Sequence, residues 1–152
     1  MRKICSQYQS GDPVKAKGLE LSADKTWAWG GRMRTSVSLQ HVRDRSGARL
    51  LNSPQVLGKL SFSAPLPLGG LRLGYTLQYD SPRRTLDGSD TGAYAVSNLH
   101  LRTGALGKGL ALSLNLQNLF DKRYAHPGAD SNWQNTLAQD GRSLRVEARL
   151  HF

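Results

Sequence analysis

From Gly141 to Phe152, apolar and polar residues alternate one by one. Leu144, Val146, Ala148, Leu150 and Phe152 share one face of an extended strand, and Ser143, Arg145, Glu147, Arg149 and His151 share the other. A period of two marks a β-strand with one greasy and one wet surface, because successive side chains leave the backbone on opposite sides. A soluble protein seldom ends on its most regular strand with an unshielded apolar residue last. A transmembrane barrel does, since its greasy face meets lipid and its wet face meets the lumen.

Six further segments repeat the pattern. Leu110, Leu112, Leu114 and Leu116 alternate with Ala111, Ser113, Asn115 and Gln117. Leu71, Leu73, Tyr75, Leu77 and Tyr79 alternate with Arg72, Gly74, Thr76, Gln78 and Asp80. Met33, Thr35, Val37 and Leu39 form a third set, Leu60, Phe62 and Ala64 a fourth, and Leu19 and Leu21 a fifth. Residues 93–103 are the least regular: Leu99 and Leu101 oppose Asn98, His100 and Arg102, but Val96 falls on the polar side. Each segment has about the ten residues a tilted spanning strand needs, and none approaches the length of a membrane helix.

The connections carry a second signal. Ala28 to Gly31, Pro65 to Gly70 and Gly104 to Gly109 are short; Arg43 to Ser53, Arg83 to Gly92 and Arg123 to Asp140 are long, and the two kinds alternate. Tight periplasmic turns and longer extracellular loops give a barrel this rhythm. A β-sandwich has turns too, but no reason to alternate their lengths. The pattern therefore predicts an all-β fold: an antiparallel, up-and-down transmembrane β-barrel segment of about seven strands, part of a larger barrel. Residues 1–15 read as an irregular lead-in and 16–152 as barrel.

Composition changes this picture little. The chain is 38% hydrophobic with a mean hydropathy of −0.48, as expected if half of every strand faces water. One cysteine, Cys5, excludes an internal disulfide.

Residues Leu112 to Tyr124, LSLNLQNLFDKRY, resemble the penultimate-strand motif of TonB-dependent outer-membrane receptors, an alternating strand running into N-L-F-D-K-x-Y. Asn118, Leu119, Phe120, Asp121, Lys122 and Tyr124 match it. A loop follows, then Gly141-Arg142 opening the last strand, then the terminal aromatic Phe152. Upstream, Lys17-Gly18-Leu19-Glu20 is similar to the family's K-G-hydrophobic-E strand opening, and Asn52-Ser53-Pro54 resembles its S-P step. The likeness spans roughly residues 11–152.

The motif also has a physical reading. Asn118 ends the alternation, where its side chain can satisfy backbone groups freed at the strand edge. Leu119 and Phe120 form an apolar knuckle, and Asp121-Lys122 return the chain to water. Phe120, Tyr124 and Tyr94 are expected in an outer aromatic girdle, with Trp27, Trp29 and Phe152 at the periplasmic rim. A purely structural rim is the plainer reading of these aromatics.

The resemblance implies a barrel of about 22 strands plugged by an amino-terminal domain. Seven strands leave no room for a plug, and Met1 to Tyr8 has a basic start without an apolar signal core. The expectation is the carboxyl-terminal third of a receptor barrel, with Met1 as a misassigned start, a truncation point or the edge of a remnant.

A net charge of +10 raises nucleic-acid binding, which needs a contiguous basic stripe. In the long loops Arg43, Arg45, Arg49, Arg83, Arg84, Lys122, Arg123 and Arg142 are interleaved with Asp44, Asp80, Asp87, Asp90, Asp121, Asp130 and Asp140. That is a mixed rim; Arg34, Arg72, Arg102, Arg145 and Arg149 alternate inward along strands. No nucleic-acid partner is expected. The rim arginines suit solvation, or lipopolysaccharide phosphates or another anionic ligand. His41, His100, His126 and His151 show no ligand spacing. Gly104 to Gly109 lacks the Lys-Ser/Thr ending of a phosphate loop, and Ser131, Asp130 and His126 have no nucleophile context. The chain reads as a non-enzyme with no cofactor and no metal.

Three functions remain open. The first is the carboxyl-terminal barrel portion of a receptor for a scarce nutrient of the ferric-siderophore, haem or cobalamin class, not transport-competent alone. The resemblance implies outer-membrane lipid, lipopolysaccharide and the barrel-assembly machinery as partners, with TonB reached only through the missing plug. Leu144, Val146, Ala148, Leu150 and Phe152 are expected to form the assembly signal. In the loop after Tyr124, His126, Trp133 and Asn135 are candidates for ligand contact, against the plainer reading of a variable loop tip. The second function is a passive pore built from several copies, and the third a soluble β-sheet binding module.

Overall fold

The computed structural model describes residues 13–104, 106 and 109–151. Its strands are β1 (Lys15–Thr26), β2 (Arg32–Arg43), β3 (Val56–Pro65), β4 (Arg72–Asp80), β5 (Tyr94–Arg102), β6 (Leu110–Gln117), β7 (Ala125–Pro127), β8 (Thr136–Ala138) and β9 (Ser143–Leu150). Seven of them form one antiparallel sheet in the order β1-β2-β3-β4-β5-β6-β9, and β7 and β8 pair separately as a small hairpin. The sheet is an open meander with β1 and β9 at its edges; among the described residues it does not close into a barrel. The hairpin interrupts what the sequence presents as one long loop. Residues 1–12 of the expected lead-in, and with them Cys5, lie outside the described residues.

Register explains why the alternation matters. Directly paired residues share a face, so the apolar set of each strand must meet the apolar set of the next. Met33 pairs with Phe62, Phe62 with Tyr75, Tyr75 with Leu99, Leu99 with Leu116 and Leu116 with Leu144. A neighbouring row runs Ala64, Leu73, Leu101, Leu114, Val146. The opposite face carries rows such as Asp24, Arg34, Ser61, Thr76, Asn98. Sliding one strand by a single residue would exchange its two faces, so the long apolar rows pin the register. Val96 sits on the polar face opposite Gln78, as its place in the alternation requires.

Nothing among the described residues covers the apolar face. Leu21, Leu144 and Val146 are 63%, 62% and 68% exposed, and the one buried hydrophobic side chain is Tyr94, which pairs with Asp80 on the polar face. Covering a Leu or Val side chain is worth about 1.5–3 kcal/mol, so a face of this extent needs an apolar medium or a second layer. Asp24, on the polar face, bridges Arg32 and Arg34 at 2.7 and 2.9 Å.

The short turns all lie at one end of the sheet and the long loops at the other. At the short-turn end Trp27 stacks on Trp29 at 5.8 Å, and Phe62 closes the cluster at 6.3 and 6.5 Å. Gly30, at φ 88°, makes this turn, and a Cβ on Gly31 would run into the Trp29 ring. Trp27 and Trp29 therefore stand where the rim was expected.

Candidate functional site

The chemistry gathers at the long-loop end of the polar face. Asn118 follows β6 in a left-handed conformation (φ 49°) and is 4% exposed. Its Oδ1 accepts the Lys122 amide at 2.8 Å, and its Nδ2 donates to the carbonyls of Lys122 and Asp140 at 3.0 and 3.2 Å. Its own amide donates to Asn98 Oδ1 at 2.9 Å. Asn tolerates the left-handed region and caps backbone locally, which is why the alternation can stop here without orphaned groups. Asp121, also left-handed (φ 51°), accepts the Arg142 amide at 2.8 Å. Gly141 permits that approach, since a Cβ there would lie 2.8 Å from Asp121 Oδ1. The motif residues thus form a clasp joining the end of β6 to the start of β9.

Beside the clasp is an aromatic group. Tyr94 packs on Tyr124 with centroids 4.3 Å apart, and both lie 5.7 Å from the His126 ring. Tyr94 Oη is 2.9 Å from His126 Nε2. The hairpin carries His126 there: Gln139 donates its amide to the Tyr124 carbonyl at 3.0 Å and Gly128 donates to Asn135 at 2.8 Å. Burial pushes the His126 imidazole below its ordinary pKa, helped by Arg83 and opposed by Asp80. Burial likewise raises Tyr124, with Asp140 and Asp80 adding to it. The fully buried Asp80 pairs with Arg83 and accepts Gln78 Nε2 at 2.9 Å. Tyr94, Tyr124, His126, Gln78, Asn98 and Asp140 edge a cleft of about 350 Å³. It offers aromatic faces, amides and an imidazole, and is suited to holding a polar or aromatic group without covalent chemistry.

The three long loops are tied together at the same end of the sheet. Arg49 pairs with Asp90, Arg83 Nη1 donates to Asn52 Oδ1 at 3.3 Å, and the Asp87 amide donates to Asn135 Oδ1 at 3.4 Å. Asp87 also accepts Thr85 Oγ1 at 2.7 Å and the Ser89 amide at 2.9 Å, which hold its carboxyl well below the usual range.

The expected residues divide accordingly. Asn118, Asp121, Lys122 and Tyr124 come together at the clasp and the aromatic group. The Leu119 amide donates to Ser97 at 2.8 Å, and Phe120 is 74% exposed. The girdle expectation needs correction: Tyr94 and Tyr124 turn inward on the polar face because Tyr94 pairs with Asp80, and Tyr79 takes the apolar-face position instead. Of the loop candidates, His126 reaches the cleft, Asn135 ties loops, and Trp133 is 102% exposed and touches neither. Leu144, Val146, Ala148 and Leu150 line up on the apolar face of β9, and Phe152 lies outside the described residues. Sequence reasoning does not bring Asp80, Arg83, Gln78 and Asn98 together: Gln78, Asp80 and Asn98 read only as polar residues of the alternation, and Arg83 only as one cation of a mixed rim. No three His, Cys, Asp or Glu side chains converge among the described residues.

Comparison with known proteins gives one answer. The family model described as TonB dependent receptor-like, beta-barrel, matches residues 3–119. The pyoverdine outer membrane receptor FpvA of Pseudomonas aeruginosa, bound to pyoverdine, is 23% identical with a TM-score of 0.76, over 91% of this chain and 22% of that one. A complex of FpvAI with pyocin S2 is 22% identical with a TM-score of 0.73, over 89% and 18%. The FrpB iron transporter of Neisseria meningitidis is 21% identical with a TM-score of 0.66, over 89% and 23%. The chain spans about a fifth of the length of these receptors. No curated protein matches it. Receptors of this kind are outer-membrane transporters, not enzymes, and this chain belongs to the TonB-dependent receptor β-barrel family.

Proposed function

We propose that this chain is carboxyl-terminal wall and late extracellular loops of a TonB-dependent receptor that takes up a scarce nutrient of the ferric-siderophore, haem or cobalamin class. The observation that carries the reading is the pairing of an uncovered apolar face with a polar face that ends in a loop-side cleft. Lipid covers the first and the lumen wets the second. The solved relatives whose names mention pyoverdine and iron favour the siderophore member of the class. Transport needs more than this wall: on this reading the energy-coupled step belongs to a plug seated inside the barrel and to TonB, which the wall meets only through that plug.

The test is deletion of the gene in its host, followed by growth on single ferric chelates under iron limitation. Loss of growth on one chelate, restored by the gene, is the expected result; unchanged growth on every chelate and on haem and cobalamin overturns the ligand class. A passive pore of several copies would instead show steady conductance in planar bilayers.

The outward residues of β9, Leu144, Val146, Ala148 and Leu150, together with Phe152, are proposed as the signal read by the barrel-assembly machinery. Deleting Phe152 lowers outer-membrane insertion on this reading; undiminished insertion would remove it.

A further inference from the structure

On the apolar face, the alternation of β1 and β2 changes character at the long-loop end. Leu21 pairs with Val37 and Leu19 with Leu39, but the next two pairs are Lys17 with His41 and Lys15 with Arg43. These four side chains, with Arg45 and Asp44 from the following loop, surround a groove of about 280 Å³. Residues two apart on a strand stand roughly 7 Å apart. The basic pairs thus begin about one such step beyond the last leucine pair, at the depth where a bilayer passes from hydrocarbon to headgroup.

Cations on an outward face, expensive at the bilayer midplane, are tolerated at this depth, and they are favoured where an anion meets them. Among the described residues neither lysine has a carboxylate partner. Arg43 is held in place: its Nε donates to His41 Nε2 at 2.6 Å and its Nη1 to the Gly47 carbonyl at 2.5 Å. The groove's one carboxylate, Asp44, is turned to its own loop, where it accepts Ser46 Oγ at 2.6 Å and the Ala48 amide at 3.0 Å. Those bonds hold its carboxyl below the ordinary range, Ser46 contributing most. The groove therefore presents unpaired positive charge beside leucines, a combination complementary to a phosphate carried on acyl chains.

We infer that Lys15, Lys17 and Arg43 form a site for a phosphate of an outer-leaflet lipid, of the lipid A class, bound against the outer wall with its acyl chains along Leu19, Leu39, Leu21 and Val37. The inference rests on the membrane placement proposed above. It concerns the outer surface, remote from the polar-face cleft.

The experiment uses the full chain expressed in a Gram-negative outer membrane, first washed with carbonate, then extracted in mild detergent and examined by native mass spectrometry during titration with bis-phosphorylated lipid A. The expected result is a chain that resists carbonate and retains one lipid A, with at least tenfold weaker retention in K15Q/K17Q/R43Q. K25Q, which removes a charge from the other end of the same face, retains it as the parent does. Equal retention by parent and triple variant overturns the site while leaving the membrane placement intact. Release by carbonate overturns the placement and the site together. Dephosphorylated lipid A retained as well as the parent lipid overturns the phosphate assignment, and competition by millimolar inorganic phosphate assigns the groove to a soluble anion and overturns the lipid.

Discussion

Asp121 accepts the backbone amide of Arg142 at 2.8 Å, a bond that joins the two ends of the loop between β6 and β9. With the Asn118 carboxamide spanning Lys122 and Asp140, it lets the sheet continue from β6 to β9 across an excursion that contains a hairpin of its own.

Removing the Asn118 carboxamide leaves three backbone groups without partners. Asn118→Gly keeps the left-handed backbone without steric strain, so its loss, about 2–3 kcal/mol, reports the carboxamide together with the smaller chain-entropy cost of glycine. Asn118→Ala adds roughly 1 kcal/mol for the positive φ. Urea midpoints in lipid vesicles, followed by tryptophan fluorescence, measure both; equal midpoints for the two variants would show that the backbone conformation is not constrained there.

Gly141→Ala drives a methyl group against the Asp121 carboxylate and opens the bond to Arg142. Once Asp121→Ala has removed that bond, Gly141→Ala has less to lose. The double variant is expected to fall short of the summed single effects by at least about 0.5 kcal/mol. Strict additivity would place the cost of Gly141→Ala in the local backbone instead.

Leu114 and Val146 face each other in the middle of the apolar rows, and Ser113 sits one residue away on the polar face. Leu114→Arg is expected to cost about 2–4 kcal/mol in a bilayer, and Ser113→Arg under about 1. Vesicle-based urea titration compares them, and similar costs would argue against a lipid-covered face.

Acid should loosen the aromatic group. His126 is held below its ordinary pKa by burial, so the unfolded imidazole binds a proton first as pH falls. Its contribution is complete above the ordinary value of about 6.5 and is lost below it. Asp87, already held low by Thr85 and Ser89, stays ionised through that window and adds nothing. The urea midpoint should therefore drop between about pH 7.5 and 5.5, and His126→Phe, which keeps a ring beside Tyr94 and Tyr124, should flatten that drop. A slope unchanged by the substitution would assign the acid response elsewhere.

The sheet is legible in the sequence because its information is local. Alternation in Leu110 to Gln117 and Ser143 to Leu150 assigns both strands and both faces, and short turns fix their neighbours. The motif at Asn118 is legible too, since an asparagine that breaks an alternation has a capping role to fill. Tyr94 is misplaced by the outer-girdle expectation because that expectation overrides parity: it lies an even number of residues from Val96 and belongs on the polar face with it. The β7–β8 hairpin leaves no trace, because three-residue strands containing Pro127 have no period to detect. The Arg49–Asp90 and Arg83–Asp80 pairs are equally hidden: a mixed-charge rim states that ions are present, not which ones meet.

The ties among the long loops give them a shared fate. Arg49 reaches Asp90, Asn52 reaches Arg83, and Asn135 reaches Asp87, so each loop is held to a neighbour. They behave as a single canopy. A predator or antibody that selects for change in one loop tip will disturb the other two, and escape variants are then expected in correlated sets across the three loops, with the rim residues that carry the ties left in place.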